Sequence, residues 1–260
     1  MVPDGYDLSG KVAIVTGGGT GIGAATARLL ARYGADLILA GRTEETLAQT
    51  AGEIGAATGR RCLTQRADVR DAAQVDALVE RTIAELGRVD ILINMVGWGG
   101  HAHLSDLDFA DWKDEFTINL DTAFHCIKAV GPHFRAQRSG AIVNVSSVAG
   151  INGVQGLSGY SAAKAGLQMF TRVAAAEWGQ YGVRVNCVAP GMTATENAMK
   201  DFIANNLDID GLCAATPLRR AGQPDEVARA IVFLASEAAS YITGETLLVN
   251  GGQSLGGSGG

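Results

Sequence analysis

KVAIVTGGGTGIGAATARLLARY, Lys11 to Tyr33, decides the fold. Lys11–Val15 is a short apolar, β-branched run of the kind that forms a buried strand. Thr16–Gly23 follows as TGGGTGIG, and Ala24–Tyr33 is rich in helix formers. A strand, a tight glycine turn and a helix start make an anion site. Glycine lets backbone N–H groups approach a phosphate, and the helix N-terminus adds its dipole. The spacing is G-x-x-x-G-x-G rather than G-x-G-x-x-G. A purely structural turn is the competing reading of the glycines alone.

The alternation continues outward from this unit. Strands are expected at Ala35–Ala40, Arg61–Ala67, Val89–Asn94, Ile142–Val145, Val183–Ala189 and Glu245–Val249. Helices are expected at Glu44–Ala57, Ala72–Leu86, Asp108–Val130, Ser161–Tyr181 and Pro224–Ala235. Strands alternating with helices predict an α/β fold, a parallel sheet wound on both faces. No repeat or linker interrupts the 260 residues, which suit one domain. Residues 1–8 read as an N-terminal arm, 192–215 as a semi-apolar lid over a site, and 253–260 as a flexible glycine-rich tail.

Composition narrows the classes. The hydrophobic fraction of 47%, the charged fraction of 18% and a formal charge of -6 are globular values and argue against a nucleic-acid partner. The four cysteines are scattered, with no C-x-x-C pair, as in a reducing compartment. No run approaches about 18 apolar residues, so no membrane span is expected, and a cytoplasmic protein is the default. His101 and His103 lack a third ligand at convincing spacing, so no metal is expected.

The chemistry concentrates in Ala141–Gly166, AIVNVSSVAGINGVQGLSGYSAAKAG. Ser146 and Ser147 stand where the strand ends. Tyr160 and Lys164 are four apart and share a helix face. A phenol titrates near pH 10, and an ammonium about 5 Å away favours its ionised form by on the order of 3 kcal/mol. That draws a tyrosine toward the range useful for proton transfer, with a serine hydroxyl to hold a substrate oxygen. A surface helix carrying an ordinary Tyr and Lys is the alternative. Elsewhere, Arg42 stands at the end of the second strand with no Asp or Glu at 40–42, which favours a 2′-phosphate over a free ribose hydroxyl; otherwise it is a solvated residue. Asp68 can take an adenine amino group, or it or Asp71 can cap a helix. Asn119, between Ile118 and Leu120, is either a satisfied core amide or a working one.

Taken together, T-G-x-x-x-G-I-G at Thr16–Gly23, Asn119, Ser147, Tyr160-x-x-x-Lys164, Pro190-Gly191, F-L-A-S at Phe233–Ser236, and Gly244 with Asn250-Gly251-Gly252 resemble the classical short-chain dehydrogenases/reductases. The resemblance runs from about Leu8 to Gly252, and 3-oxoacyl carrier-protein reductases share this spacing. It implies a seven-stranded Rossmann fold and hydride transfer between a nicotinamide and a carbonyl or secondary alcohol. Tyr160 would be the acid–base, Ser147 would bind the substrate oxygen, Lys164 would bond the nicotinamide ribose and depress the Tyr160 pKa, and Asn119 would hold a relay water. Gly17, Thr20, Gly21, Ile22, Gly23, Arg42, Asp68, Val69, Asn94, Gly97, Tyr160, Lys164, Pro190, Gly191, Thr193 and Thr195 would meet the cofactor. NADP(H) is the expected cofactor, with NAD(H) the alternative, and a homotetramer the expected assembly, with the helices at 108–130 and 160–181 at one interface. Two departures stand out. Met95 replaces the second Asn of the family's N-N-A-G, and Asn250 the commoner Asp.

Three activities fit these residues. One is an NADP(H)-dependent carbonyl reductase or alcohol dehydrogenase acting on a small molecule. Another is a 3-oxoacyl-thioester reductase, with Arg135, Arg138, Arg219 and Arg220 receiving an acidic carrier or coenzyme A. The third is an NAD-dependent secondary alcohol dehydrogenase. Trp98, Val154, Met192, Met199 and Phe202 suit an apolar substrate body, with His101, Asn152 or Gln155 for one polar group; all can equally be packing.

Overall fold

The computed structural model describes residues 2–255. Seven strands, β1 (Val12–Thr16), β2 (Asp36–Gly41), β3 (Cys62–Arg66), β4 (Ile91–Asn94), β5 (Gly140–Val145), β6 (Val183–Pro190) and β7 (Thr246–Val249), form one sheet in the order β3-β2-β1-β4-β5-β6-β7. Every pairing is parallel. The strand order reverses between β1 and β4, so a crevice opens there beyond the carboxyl ends of the strands.

Strand alternation builds two cores, one on each face. Ala13, Val15, Leu37 and Leu39 meet α1 (Gly21–Arg32), α2 (Glu44–Thr58) and α9 (Pro224–Ala235) through Leu30, Leu47, Ile54 and Ile231. Val12, Ile14, Ile38 and Leu92 face the other way. They pack on α3 (Ala72–Leu86), α5 (Thr122–Gln137) and α6 (Ser158–Trp178) through Leu78, Val130, Phe134 and Ala174. The N-terminal arm is docked: Leu8 is buried, and the Tyr6 ring lies 5.5 Å from that of Tyr33. Asp71 caps α3 by accepting from the Ala73 N–H, which frees Asp68 for another use.

Two segments differ from the sequence reading. The helix expected at Asp108–Val130 is split into α4 (Phe109–Phe116) and α5 by a wide turn at Thr117–Asp121, and α5 runs on to Gln137. The Asn119 side chain donates to the Glu115 carbonyl at 2.8 Å, taking an acceptor from the helix ladder at the point where it widens. The 192–215 segment is helical, as α7 (Glu196–Ala204) and α8 (Ile209–Ala215), started by the Thr195 and Asp208 side chains. Neither helix has a buried residue, and both are short. Residues 253–255 form a docked turn, and 256–260 lie outside the described residues.

Under the crevice, strands and helix are tied by buried amides. Asn94 Nδ2 donates to Asn144 Oδ1 at 2.8 Å, and Asn144 Nδ2 to Thr171 Oγ1 of α6 at 2.9 Å. Asn144→Ala removes the shared partner and leaves the Asn94 amide buried without an acceptor. A loss of about 2 kcal/mol in urea unfolding is expected, whereas a loss under about 0.5 kcal/mol would show the network to be ornamental.

Candidate active site

A cleft of about 1460 Å³ lies along the carboxyl ends of the strands. Its floor is the glycine turn after β1, its far end holds Arg42 and Asp68, and its near end runs past Ser147, Tyr160 and Pro190 to α7 and α8. Gly17, Thr20, Gly21, Ile22, Gly23, Val69, Gly97, Lys164, Gly191, Thr193 and Thr195 also line it. Asn94 and Asn119 do not. Asn94 is turned onto Asn144 beneath the sheet end, and Asn119 is wholly buried. A second hollow of about 570 Å³ at the opposite end of the strands holds none of these side chains.

The end of β5 and α6 are sewn together. Lys164 Nζ donates to the Val145 carbonyl at 3.0 Å, the Ser146 hydroxyl donates to the Lys164 carbonyl at 2.9 Å, and Gln168 Nε2 donates to Ser146 Oγ at 3.0 Å. Ser147 Oγ accepts from the Ala149 N–H at 3.1 Å. Its hydroxyl also meets the Tyr160 phenol, while Lys164 Nζ lies 5.6 Å from the centre of the Tyr160 ring. Tyr160, Ser147 and Lys164 therefore share one corner of the cleft.

The electrostatics depart from expectation. Tyr160 is held above the ordinary tyrosine value, by burial first, with the Ser147 hydroxyl pulling it down and Glu115 pushing it up. Lys164 does not depress it in this geometry. The ammonium is itself desolvated, with its pKa lowered to about 8, and it donates to the Val145 carbonyl.

Gly97 and Gly99 line the cleft, but a side chain on either would point into protein. A methyl on Gly97 would overlap Lys164 Nζ, and one on Gly99 would lie 2.7 Å from Cγ of the Tyr160 ring. Bare backbone here lets the loop close on the two side chains. Asn119 fixes that loop, donating to the Trp98 carbonyl at 2.6 Å and accepting the Trp98 N–H at 3.0 Å. Met95 needs no polar side chain, because its N–H reaches Thr16 Oγ1 at 3.0 Å while the side chain packs against the core and Gly17.

The adenosine end is asymmetric. Asp68 takes a bidentate grip from Arg70, the shorter contact being 2.6 Å, which holds the carboxyl below the usual range. Arg42 is exposed and, among the described residues, makes no ion pair. Helix α1 has no side-chain cap and no acidic residue in its first turn, so its N–H groups are left for an anion. Sequence reasoning missed Gln253, whose Oε1 accepts the Met192 N–H at 3.1 Å behind the Pro190–Gly191 turn. It also missed Glu115, buried beside Tyr160. Neither sits in a local motif, so no spacing signals them.

Residues 17–254 match the family described as enoyl-(acyl carrier protein) reductase. The chain is a short-chain dehydrogenase/reductase. It shares 40% identity over 246 residues with a 3-oxoacyl-[acyl-carrier-protein] reductase of Synechocystis, covering 94% of this chain and 97% of the relative. With the cis-4-hydroxycyclohexanecarboxylate dehydrogenase of Sinomonas cyclohexanicum it shares 42% over 255 residues, 95% and 98% of the two chains. The crystal structure of levodione reductase superposes with a TM-score of 0.91 at 36% identity, covering 95% of this chain and 99% of that one. As a short-chain dehydrogenase/reductase, the protein is an oxidoreductase with a nicotinamide cofactor.

Lys164 carries a testable cost. Its pKa falls from 10.5 unfolded to about 8 folded, so between those values the unfolded chain binds the extra proton and stability rises with pH. Below pH 8 the charged form costs the fold about 3 kcal/mol, relieved as pH approaches 10.5. Relative to Lys164→Met, the wild-type protein should therefore gain stability between roughly pH 8 and pH 10 in denaturant titrations. A flat difference would mean that the ammonium is not desolvated.

Proposed function

We propose that this short-chain dehydrogenase/reductase transfers a hydride between NADP(H) and an uncharged ketone or its secondary alcohol, with Tyr160 moving the proton. The observation that carries this reading is the convergence of the Ser147 hydroxyl and the Tyr160 phenol on one corner of the cleft, with Lys164 behind the ring.

The residues present fit the dinucleotide. The uncapped start of α1 suits the diphosphate. Asp68 and Val69 would receive the adenine, and unpaired Arg42 a 2′-phosphate. Pro190, Gly191, Thr193 and Thr195 would meet the nicotinamide amide, and Lys164 the ribose. When bound, the cofactor supplies the hydride in reduction and accepts it in oxidation.

The chain's own part is positioning and proton transfer. Ser147 donates to the substrate oxygen and fixes its distance from Tyr160. In reduction the phenol gives its proton to that oxygen as the C–H bond forms; in oxidation the phenolate takes it back. Asn119 serves the site by holding Trp98 in place. The faces of α5 and α6 that expose Phe124, Met169 and Val173 suit a homotetramer contact.

Charge supports a neutral substrate. Around the lid, the cleft is lined by Glu196 and Asp201, while its arginines, Arg28, Arg42 and Arg70, belong to the adenosine half. The arginines that would receive an acidic carrier are dispersed. Arg135 and Arg138 stack on Tyr181 beside the start of β5, at the far end of the sheet, and Arg220 is paired with Glu226 at 2.7 Å. Trp98, Val154, Met192, Phe202, Leu207 and Leu212 give an apolar lining.

Two experiments test the reading. In fluorescence titrations NADPH should bind at least about tenfold more tightly than NADH, a difference of about 1.4 kcal/mol, and Arg42→Ala should erase the preference. Equal binding of NADH would move the assignment to an NAD-dependent dehydrogenase. In a carbonyl panel, apolar cyclic and open-chain ketones should turn over faster than 3-oxoacyl thioesters. Tyr160→Phe should cut kcat by about 10²-fold or more with cofactor binding kept; unchanged activity would remove Tyr160 from the chemistry.

A further inference from the structure

Glu115 is a carboxylate that the proposed chemistry does not use, although it lies against the residues that do. It sits in the last turn of α4, 4% exposed, and among the described residues makes no ion pair. A buried carboxylate needs donors. Its Oε1 accepts the Gly100 N–H at 2.9 Å, and the Tyr160 backbone N–H is directed at the same group. Its Oε2 lies so close to Gly159 that a methyl there would overlap it. Helix α6 begins after Leu157, which offers no side-chain cap, so a residue of another helix serves the first turn of α6. The Glu115 carbonyl also accepts from Asn119, whose other bonds hold Trp98. One residue thus joins the 98–100 loop, the wide turn at Asn119 and the first turn of the Tyr160 helix.

The groups around it are few. Asp111 and Asp114 on its own helix add negative charge, Tyr160 faces it from α6 with Lys164 behind the ring, and His101 follows Gly100 on the loop. Burial first, then the two aspartates, raise the Glu115 carboxyl, and the Gly100 and Tyr160 N–H groups pull it back.

We propose that Glu115 is a positioning residue. Its carboxylate pins the Gly99–Gly100 wall to the start of α6 and so fixes Tyr160, and its negative charge opposes ionisation of the Tyr160 phenol. The proposal rests on Tyr160 being the acid–base. It assigns Glu115 no contact with substrate.

The test is the pH profile of kcat for alcohol oxidation by the full-length enzyme, using the best substrate from the panel. Glu115→Gln keeps the acceptor for Gly100 and loses the charge. The midpoint of the rise with pH should move down by roughly half a unit or more. Glu115→Asp keeps a charge but withdraws it from Gly100, so kcat should fall severalfold with KM for NADP nearly unchanged. A Glu115→Gln midpoint that superimposes on the wild-type one overturns the electrostatic role, even if Tm falls. Should that variant not fold, an unchanged kcat in Glu115→Asp overturns the positioning role. Tyr160→Phe run alongside separates the two failures. If it stays active, the acid–base reading is wrong; if it is inactive while the Glu115 variants behave as wild type, only the Glu115 proposal falls.

Discussion

The site depends on one buried ammonium. Lys164 has left water, and among the described residues its one hydrogen bond is to a carbonyl at the end of β5. Desolvating a cation is among the costlier things a fold can do, so the surroundings are arranged around it. The loop after β4 presents glycine at 97, because any larger residue would strike the amine. The Ser146–Gln168 bonds and the Asn94–Asn144–Thr171 chain hold strand end and helix in register. Such a group destabilises the protein unless its surroundings compensate.

The glycine-rich loop after β4 shows how one composition can serve two ends. At the first glycine turn, after β1, bare backbone belongs to an anion that must approach N–H groups. At Gly97 and Gly99 it belongs to the protein's own lysine and tyrosine. The two loops follow neighbouring strands and pack side by side at the cleft, Gly17 against Met95 and Val96.

Much of this was legible in the sequence. The alternation of strands and helices gave the parallel sheet, because buried strands and amphipathic helices have different periods. Ser147, Tyr160 and Lys164 were legible because they stand on a strand end and one helix turn, where spacing fixes geometry. Asn119 was visible as a polar residue in an apolar setting, but the wide turn around it depends on a bond to Glu115 that no period encodes. Glu115 and Gln253 act across 45 and 61 residues, on Tyr160 and Met192, and such contacts exist only after folding. The sign of the Tyr160 shift was misjudged for a related reason: spacing shows that a charge is near, but burial is a property of the whole fold.

Helices α7 and α8 carry a different consequence. Neither α7 nor α8 has a residue of its own in the core, and each is started by its own capping side chain. Substitutions on them therefore draw little on the stability that the two cores provide. The part of the molecule that would choose the substrate is free to vary while the part that would perform the reaction is not. In evolutionary terms the fold separates an adaptable surface from a fixed engine, and selection can work on the first without unfolding the second.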